Sequence, residues 1–310
     1  MITVYRSTPQ GVAQIHEPVD GSWIHLVNPD LDELEQIQRA YNIPPEFLTY
    51  PLDQDEMART EKDEGMTLVI LRVPRYQGET ADVPFTTVPL GIILSDRIVV
   101  TVCSFESDLI RGLTNGRVRN LSTSKRNRFL LHIFLVAAQQ YLTHLRAINK
   151  TVDVLEDKLQ MSLRNREVLE LLKYQKSLTY FTTALKGNEL MMARLQKSQL
   201  FRMYPDDEEL LEDALTEIGQ AIEMTNISSG ILSQMMDAFA SIISNNLNVV
   251  MKFLASVTII LALPSLVASI YGMNVDLPLD AHPLAFWYVM GTALIVSVGV
   301  VIVFIRKDWL

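Results

Sequence analysis

Cysteine is nearly missing from this chain of 310 residues: Cys103 is the only one. A single thiol excludes an internal disulfide and any zinc site built on cysteines. Cys103 follows the strand-like run 97–102 and reads as a small core residue rather than a nucleophile. Histidine is sparse, with five in all and no HExxH pair, and His132 and His144 lie about 120° apart around a helix. There is no GxxxxGK phosphate loop, so the chain is not expected to be an enzyme or to burn a nucleotide. Basic residues are outnumbered, 27 Lys and Arg against 36 Asp and Glu, and a net charge of −9 argues against nucleic acid as a partner. The opening MITVYRSTPQ lacks the basic-then-apolar pattern of a signal peptide, so the polar N-terminal part is expected to stay in the cytosol.

Against these absences stand two long apolar runs near the C-terminus. Residues 253–271 carry no charge over nineteen positions, about 28 Å of helix, close to the thickness of bilayer hydrocarbon. A second run, 283–305, follows a short connection. Two membrane helices are therefore expected. The connection holds Asp276 and Asp280 but no Lys or Arg, whereas Lys252 precedes the first run and Arg306 and Lys307 follow the second. The positive-inside rule then puts both termini in the cytoplasm of a cell that holds the protein in its inner or plasma membrane. Tyr271, Phe286, Trp287 and Tyr288 would form the outer aromatic belt, with Trp309 near the inner face.

The rest of the chain is read from periodicity and breakers. Nine of the thirteen prolines precede residue 90, which marks short elements and turns. Residues 1–120 are expected to form a cytosolic α/β domain, one sheet packed between helices, with strands at 2–5, 23–27, 66–73, 88–94 and 97–102. Ser95-Asp96 suits a tight turn, and Asn28-Pro29 suits a helix start. Residues 121–204 should form two long antiparallel helices, 122–162 and 165–200, with a possible hinge at 162–166. Residues 205–250 form a stalk helix that starts on the acids after Pro205. It runs into the first membrane helix, 251–271, followed by an external loop, 272–284, the second membrane helix, 285–305, and a basic tail, 306–310. One helix from 206 to 271 would be on the order of 100 Å long and needs partner helices, from this chain or from copies of it.

A seam with alternating spacings of four and three runs along that helix: Asp237, Ser241, Ser244, Asn248, Met251, Ala255, Thr258, Ala262, Ser265 and Ser269. Such a repeat stays on one face. A bilayer helix gains nothing by showing hydroxyls to lipid, so the seam must meet protein or water. It is either a packing face, where small residues let helices approach, or the wall of a narrow pore built from several copies. Asp237 and Asn248 favour the pore, because rings of carboxylates and amides suit a cation.

The first span closes on Tyr271-Gly272-Met273-Asn274, and with this ending the chain resembles the CorA family of divalent-cation channels. Their signature is Gly-Met-Asn, usually after Tyr, at the end of the first of two C-terminal spans. Met251-Lys252, the ending Arg306-Lys307-Asp308-Trp309-Leu310 and the order of the parts resemble the family too. The resemblance implies a homopentamer in the lipid bilayer with the first span lining the pore and Gly272, Met273 and Asn274 as selectivity filter. It implies an influx of Mg²⁺, with Co²⁺ and Ni²⁺ as further candidates, in which an amide ring at Asn274 meets the hydrated ion. Mg²⁺ sheds water reluctantly, so a ring that hydrogen-bonds its water shell can admit it without stripping it. Aligned from Asn274, family pore positions fall on Asn248, Asp237 and Leu254, the last one residue off the seam. Asp276 and Asp280 depart from the commonest outer-loop pattern of the family and would supply negative charge at the outer mouth. The resemblance further implies regulatory Mg²⁺ between neighbouring subunits, with Asp213 on the stalk. The aligned N-terminal partner is Tyr50, so Asp53 and Asp55 are the nearest carboxylates. No organic cofactor is expected. A Zn²⁺-carrying or efflux relative of the same fold is one alternative. A membrane-anchored helical scaffold without a pore is another.

Overall fold

The computed structural model describes residues 1–9, 11–115, 118, 121–161, 165–197, 204–274, 283–307 and 309. Seven strands form one sheet: β1 (Ile2–Thr8), β2 (Gly11–Ile15), β3 (Trp23–Val27), β4 (Arg59–Asp63), β5 (Met66–Tyr76), β6 (Phe85–Leu94) and β7 (Val99–Cys103). Their order is β2-β1-β3-β7-β6-β5-β4. All neighbours are antiparallel except β3 and β7, which run parallel with Trp23 opposite Val99 and Val27 opposite Cys103. The central strands β5, β6 and β7 are buried on both faces, which is why they read as near-continuous apolar runs.

The helices are α1 (Leu31–Tyr41), α2 (Pro45–Thr49), α3 (Asp108–Thr114), α4 (Arg126–Met161), α5 (Asn165–Lys197), α6 (Pro205–Tyr271) and α7 (Ala285–Arg306). On one face of the sheet, Leu34, Ile37, Phe47 and Leu48 of α1 and α2 share a core with Ile24, Leu26, Leu68, Ile70, Val100 and Val102. On the other, Phe129 of α4 lies 5.0 Å from Trp23 of β3, and Phe181 of α5 meets both Phe85 of β6 and Tyr141 of α4. The sheet is thus sandwiched between helices.

Two strands escape the sequence pattern. β2 and β4 are the outermost strands, and β4 reads Arg-Thr-Glu-Lys-Asp. Charged edge strands discourage pairing with another chain and carry no apolar signal. The start of α1 also lies two residues later than Asn28-Pro29 suggests. Its cap is Asp30, whose carboxylate accepts from the Glu33 amide at 2.8 Å while the Glu33 carboxylate accepts from the Asp30 amide at 3.1 Å. This is a reciprocal capping box. Asn28 instead takes φ +42° and turns the chain out of β3. The tight turn after β6 is present: Ser95 and Ile98 exchange hydrogen bonds, including one from the Ser95 hydroxyl.

After α2, a 3-10 turn (Tyr50–Leu52) lies directly on β6: a Cβ built at Gly91 would sit 2.1 Å from Pro51 Cγ. Glycine is required there because a ring occupies the space that a side chain would need. This contact fixes where the acidic segment after Leu52 begins.

The chain divides into two compact units, Met1–Met236 and Asp237–Leu310, with α6 contributing to both. Within the first unit α6 covers a seam of Leu211, Ala214, Ile218, Ala221, Thr225, Ser228 and Leu232. Their spacing alternates three and four, and most are small, which lets helices come close. Gln175 of α5 donates to Ser229 Oγ of α6 at 3.0 Å beside this seam.

Candidate ion pathway and regulatory carboxylates

The second unit consists of the distal half of α6 and α7. Both are long and apolar enough to cross a membrane, and only 6% and 11% of their apolar windows are buried within the chain. A core helix of a soluble protein would be mostly covered, so these faces await lipid or other chains. Along α6, Ser256 is fully buried and Val257, Ile260, Leu263, Pro264 and Val267 are half-buried. On α7, Ala293 and Ser297 are buried. These stripes lie on the two helices described for one unit, whose described residues offer no other cover, so they are read as facing each other.

All ten residues of the polar seam, from Asp237 to Ser269, are exposed in the single chain. At about 100° per residue, the seam lies roughly opposite the stripe that α7 covers. The small residues of the seam therefore do not pack the two spans of this chain together. Ser256, Ala293 and Ser297 do that, and sequence reading missed them because Ser256 sits one residue from Ala255 on the seam. Leu254 is exposed too, at 58%, on the side away from α7. Three seam hydroxyls donate back into their own helix: Ser241 to Asp237 O at 3.0 Å, Thr258 to Leu254 O at 2.8 Å and Ser265 to Leu261 O at 3.2 Å. Their protons are satisfied, which leaves oxygen lone pairs outermost on the face. Pro264 has no N–H to give the Ile260 carbonyl, so the ladder lacks one rung at mid-span.

At its end α6 closes on the signature. The Gly272 amide donates to Ala268 O at 3.0 Å and the Met273 amide to Ile270 O at 3.2 Å. The motif thus begins as the last turn of the helix, and Asn274 follows it, exposed. Tyr271, Phe286, Trp287 and Tyr288 are also exposed, at opposite ends of a connection. Asp276 and Asp280 lie outside the described residues.

In the first unit, Asp213 of α6 is exposed between buried Leu211 and Ala214. Asp53 and Asp55 follow the 3-10 turn and are exposed as well, with Asp53 Oδ1 accepting from the Asp55 amide at 3.0 Å. Carboxylate oxygens suit Mg²⁺ chemically. Yet among the described residues no group of three or more Asp, Glu, His or Cys side chains is poised to hold a metal. A regulatory ion would need ligands from another chain or from water. Tyr50, at the aligned partner position, lies under the Arg59 guanidinium at 4.7 Å and carries no carboxylate.

The buried histidines and the thiol belong to the packing of the first unit. Burial lowers the pKa of His25 to about 4, with Nδ1 2.8 Å from Thr101 Oγ1. Burial also lowers His132 and His144 and pushes the Cys103 thiol up to about 12. That thiol lies 2.9 Å from Phe105 O, a protonated core group rather than a nucleophile. Sequence reading passed over Arg72. An arginine inside the apolar run 68–73 of β5 was the available signal, since such a charge must be paired where it sits.

Residues 20–307 match the CorA-like Mg²⁺ transporter protein family. The cobalt/magnesium transport protein CorA of Methanocaldococcus jannaschii is 31% identical over 299 residues, covering 93% of this chain and 91% of that protein. The protein of the same description from Thermotoga maritima is 24% identical over 306 residues, covering 93% of this chain and 83% of its own. The complete structure of the CorA magnesium transporter from M. jannaschii aligns with a TM-score of 0.86 at 26% identity, over 100% of this chain and 99% of that one.

Proposed function

The chain belongs to the CorA-like Mg²⁺ transporter protein family, and we propose that it is a homopentameric channel for Mg²⁺ influx. Family members move ions rather than catalyse a reaction, and no catalytic centre is assigned. The distal half of α6 from each subunit surrounds the pore, and both termini are cytoplasmic. One observation carries this reading: the whole polar seam is exposed on the side of α6 away from α7, and its hydroxyls, amide and carboxylate suit water or other chains better than lipid. Asp237 and Asn248 ring the inner part, Leu254 narrows the pore, and Gly272, Met273 and Asn274 form the outer filter. Asp276 and Asp280 concentrate cations outside it. The potential suffices as a driving force, since a divalent ion gains about 4.6 kcal/mol in crossing 100 mV.

The test is direct. The purified chain in liposomes should take up Mg²⁺ when the interior is made negative, and Thr258→Cys should react with a water-soluble thiol reagent. An intact oligomer without uptake, with Cys at 258 shielded in every state, would leave a membrane scaffold or sensor instead. Uptake of Zn²⁺ in preference to Mg²⁺ would assign the other branch of the fold.

Gating by cytosolic Mg²⁺ is the second part of the proposal. Mg²⁺ bridging Asp213 to a neighbouring subunit's Asp53 or Asp55 offsets carboxylate repulsion and holds the pore shut. Loss of the ion lets the stalks splay. Asp213→Lys, whose ammonium itself offsets the neighbour's carboxylate, should abolish the Mg²⁺ dependence of closure, read from current against internal Mg²⁺. Unchanged sensitivity in that variant counts against the bridge.

A further inference from the structure

Arg72 ties together four pieces of the first unit. In β5 its N–H and C=O face the side of β4, and β4 pairs β5 only as far as Ile70. The backbone of Arg72 is therefore left at an open stretch of the sheet edge. Asn188 of α5 fills that gap: its Oδ1 accepts the Arg72 amide at 2.9 Å and its Nδ2 donates to the Arg72 carbonyl at 2.7 Å. The side-chain amide, 1% exposed, stands in for the missing strand. Tyr141 of α4 donates its hydroxyl to the same carbonyl at 3.0 Å.

The side chain points the other way in function. Its Nη1 donates to the carbonyls of Gln54 and Glu56 at 2.6 and 2.9 Å, and Nη2 donates to Thr87 O and Oγ1 of β6 at 2.8 and 2.9 Å. Arginine's planar fork makes such multiple contacts with fixed geometry, which a lysine cannot reproduce. Gripping the carbonyls on either side of Asp55 holds the segment's backbone while Asp53 and Asp55 stay exposed. The segment is fixed upstream as well, by Pro51 against Gly91. Ala58, two residues past Glu56, lies beside Gly187 of α5, where an added Cβ would come 3.6 Å from its own. From α5 the chain of contacts continues to α6 through Gln175 and Ser229.

We propose that Arg72 is the positioning residue that couples the Asp53–Glu56 segment to α5, and through α5 to α6, so that the segment and the stalk change state together. The proposal rests on the reading that cytosolic Mg²⁺ biases the pore towards closure. Arg72 touches no ion; it sets the backbone from which neighbouring carboxylates reach out, and it passes their displacement to Asn188. The coupling requires that this clasp, closed on the Gln54 and Glu56 carbonyls, release when the stalk moves.

The full-length protein in liposomes tests this with two readouts, the Mg²⁺ midpoint for protection from limited proteolysis and the thermal midpoint in chelator. Arg72→Lys should raise the Mg²⁺ midpoint by roughly tenfold or more, as loss of a partner that orients metal ligands does, with uptake at low internal Mg²⁺ retained. Thr87→Val, which removes the hydroxyl acceptor but keeps the Thr87 carbonyl and the strand pairing, should move it the same way by a smaller factor. If Arg72→Lys does not fold, Thr87→Val decides alone. A Mg²⁺ midpoint that stays within about twofold of the parent in the folded variants, well below the usual cost of losing such a partner, overturns the inference while leaving Mg²⁺ gating intact. A rise that tracks a matching fall in thermal midpoint in chelator also overturns it, because the role is then only structural. A parent chain with no Mg²⁺-dependent protection sinks the gating reading, and the inference with it.

Discussion

Asn274→Ala should abolish most Mg²⁺ uptake while leaving the chain folded and assembled. Each net amide–water hydrogen bond is worth about 1 kcal/mol. In a ring contributed by several subunits, even about three lost contacts amount to roughly a hundredfold. The expected result is at least that loss of uptake by purified chain in liposomes at fixed potential. The side chain is exposed beyond the end of α6, and the helix is closed by the amides of Gly272 and Met273 instead. Removal of the Asn274 side chain therefore leaves the helix end as it was, and thermal unfolding should be unchanged. Uptake near the parent level would argue that the amide does not meet the ion, and with it that the signature is not a filter. A scaffold, by contrast, has no use for that amide and would tolerate the substitution in every assay.

Asp207→Ala carries the largest expected effect on stability. Asp207 sits in the first turn of α6 at 3% exposure, with Oδ1 2.7 Å from Arg128 Nε of α4. Asp206 accepts from Arg128 Nη2 at 3.1 Å, but its own side chain is 80% exposed. Asp207 and Asp206 together raise the Arg128 pKa above its ordinary value through their hydrogen bonds and charge. Truncation of Asp207 leaves a guanidinium that is 20% exposed facing only a solvated partner. Breaking a buried pair by removing one member costs about 3–5 kcal/mol, and the remaining partner puts this case at the lower end. A fall of about 6–12 °C in the unfolding midpoint of the first unit follows. Asp207→Asn, which keeps an acceptor for Arg128, should lose about half as much. A fall of less than about 2 °C for Asp207→Ala would mean that Arg128 simply swings into water, at the cost of an ordinary surface pair. Because this pair joins the start of α4 to the start of α6, hydrogen exchange should quicken first in those two helix ends.

How far the chain could be read without coordinates differs from element to element. Trp23–Val27 has the same bounds in both readings because four of its five residues are apolar and alternate over two buried faces. Helices α4, α5 and α6 were visible for the same reason, since long apolar periods bounded by breakers leave few alternatives. β4 was invisible because a charged edge strand looks unlike a strand, and β2 because five residues with three apolar ones carry too short a signal. The Asp30 cap was missed in favour of Asn28-Pro29, although Asp30-x-x-Glu33 was the stronger local pattern. Each of these signals is local, carried by a few consecutive residues.

The site divides along the same line. The Gly272-Met273-Asn274 ending, the length of both spans and the polar seam are properties of consecutive or regularly spaced residues, and the sequence alone was enough to find them. Which side of α6 meets α7, and hence which side is left for water and other copies, followed only from the fold. Ser256 and Ala255 are neighbours of similar size, and nothing in the pattern says which is covered. Arg72 likewise owes its partners to residues 15 to 116 positions away, Thr87 and Asn188 among them. A helix or a span is settled by short-range periodicity, whereas a covered face or a clasped loop depends on which distant groups arrive beside it. That is decided by packing.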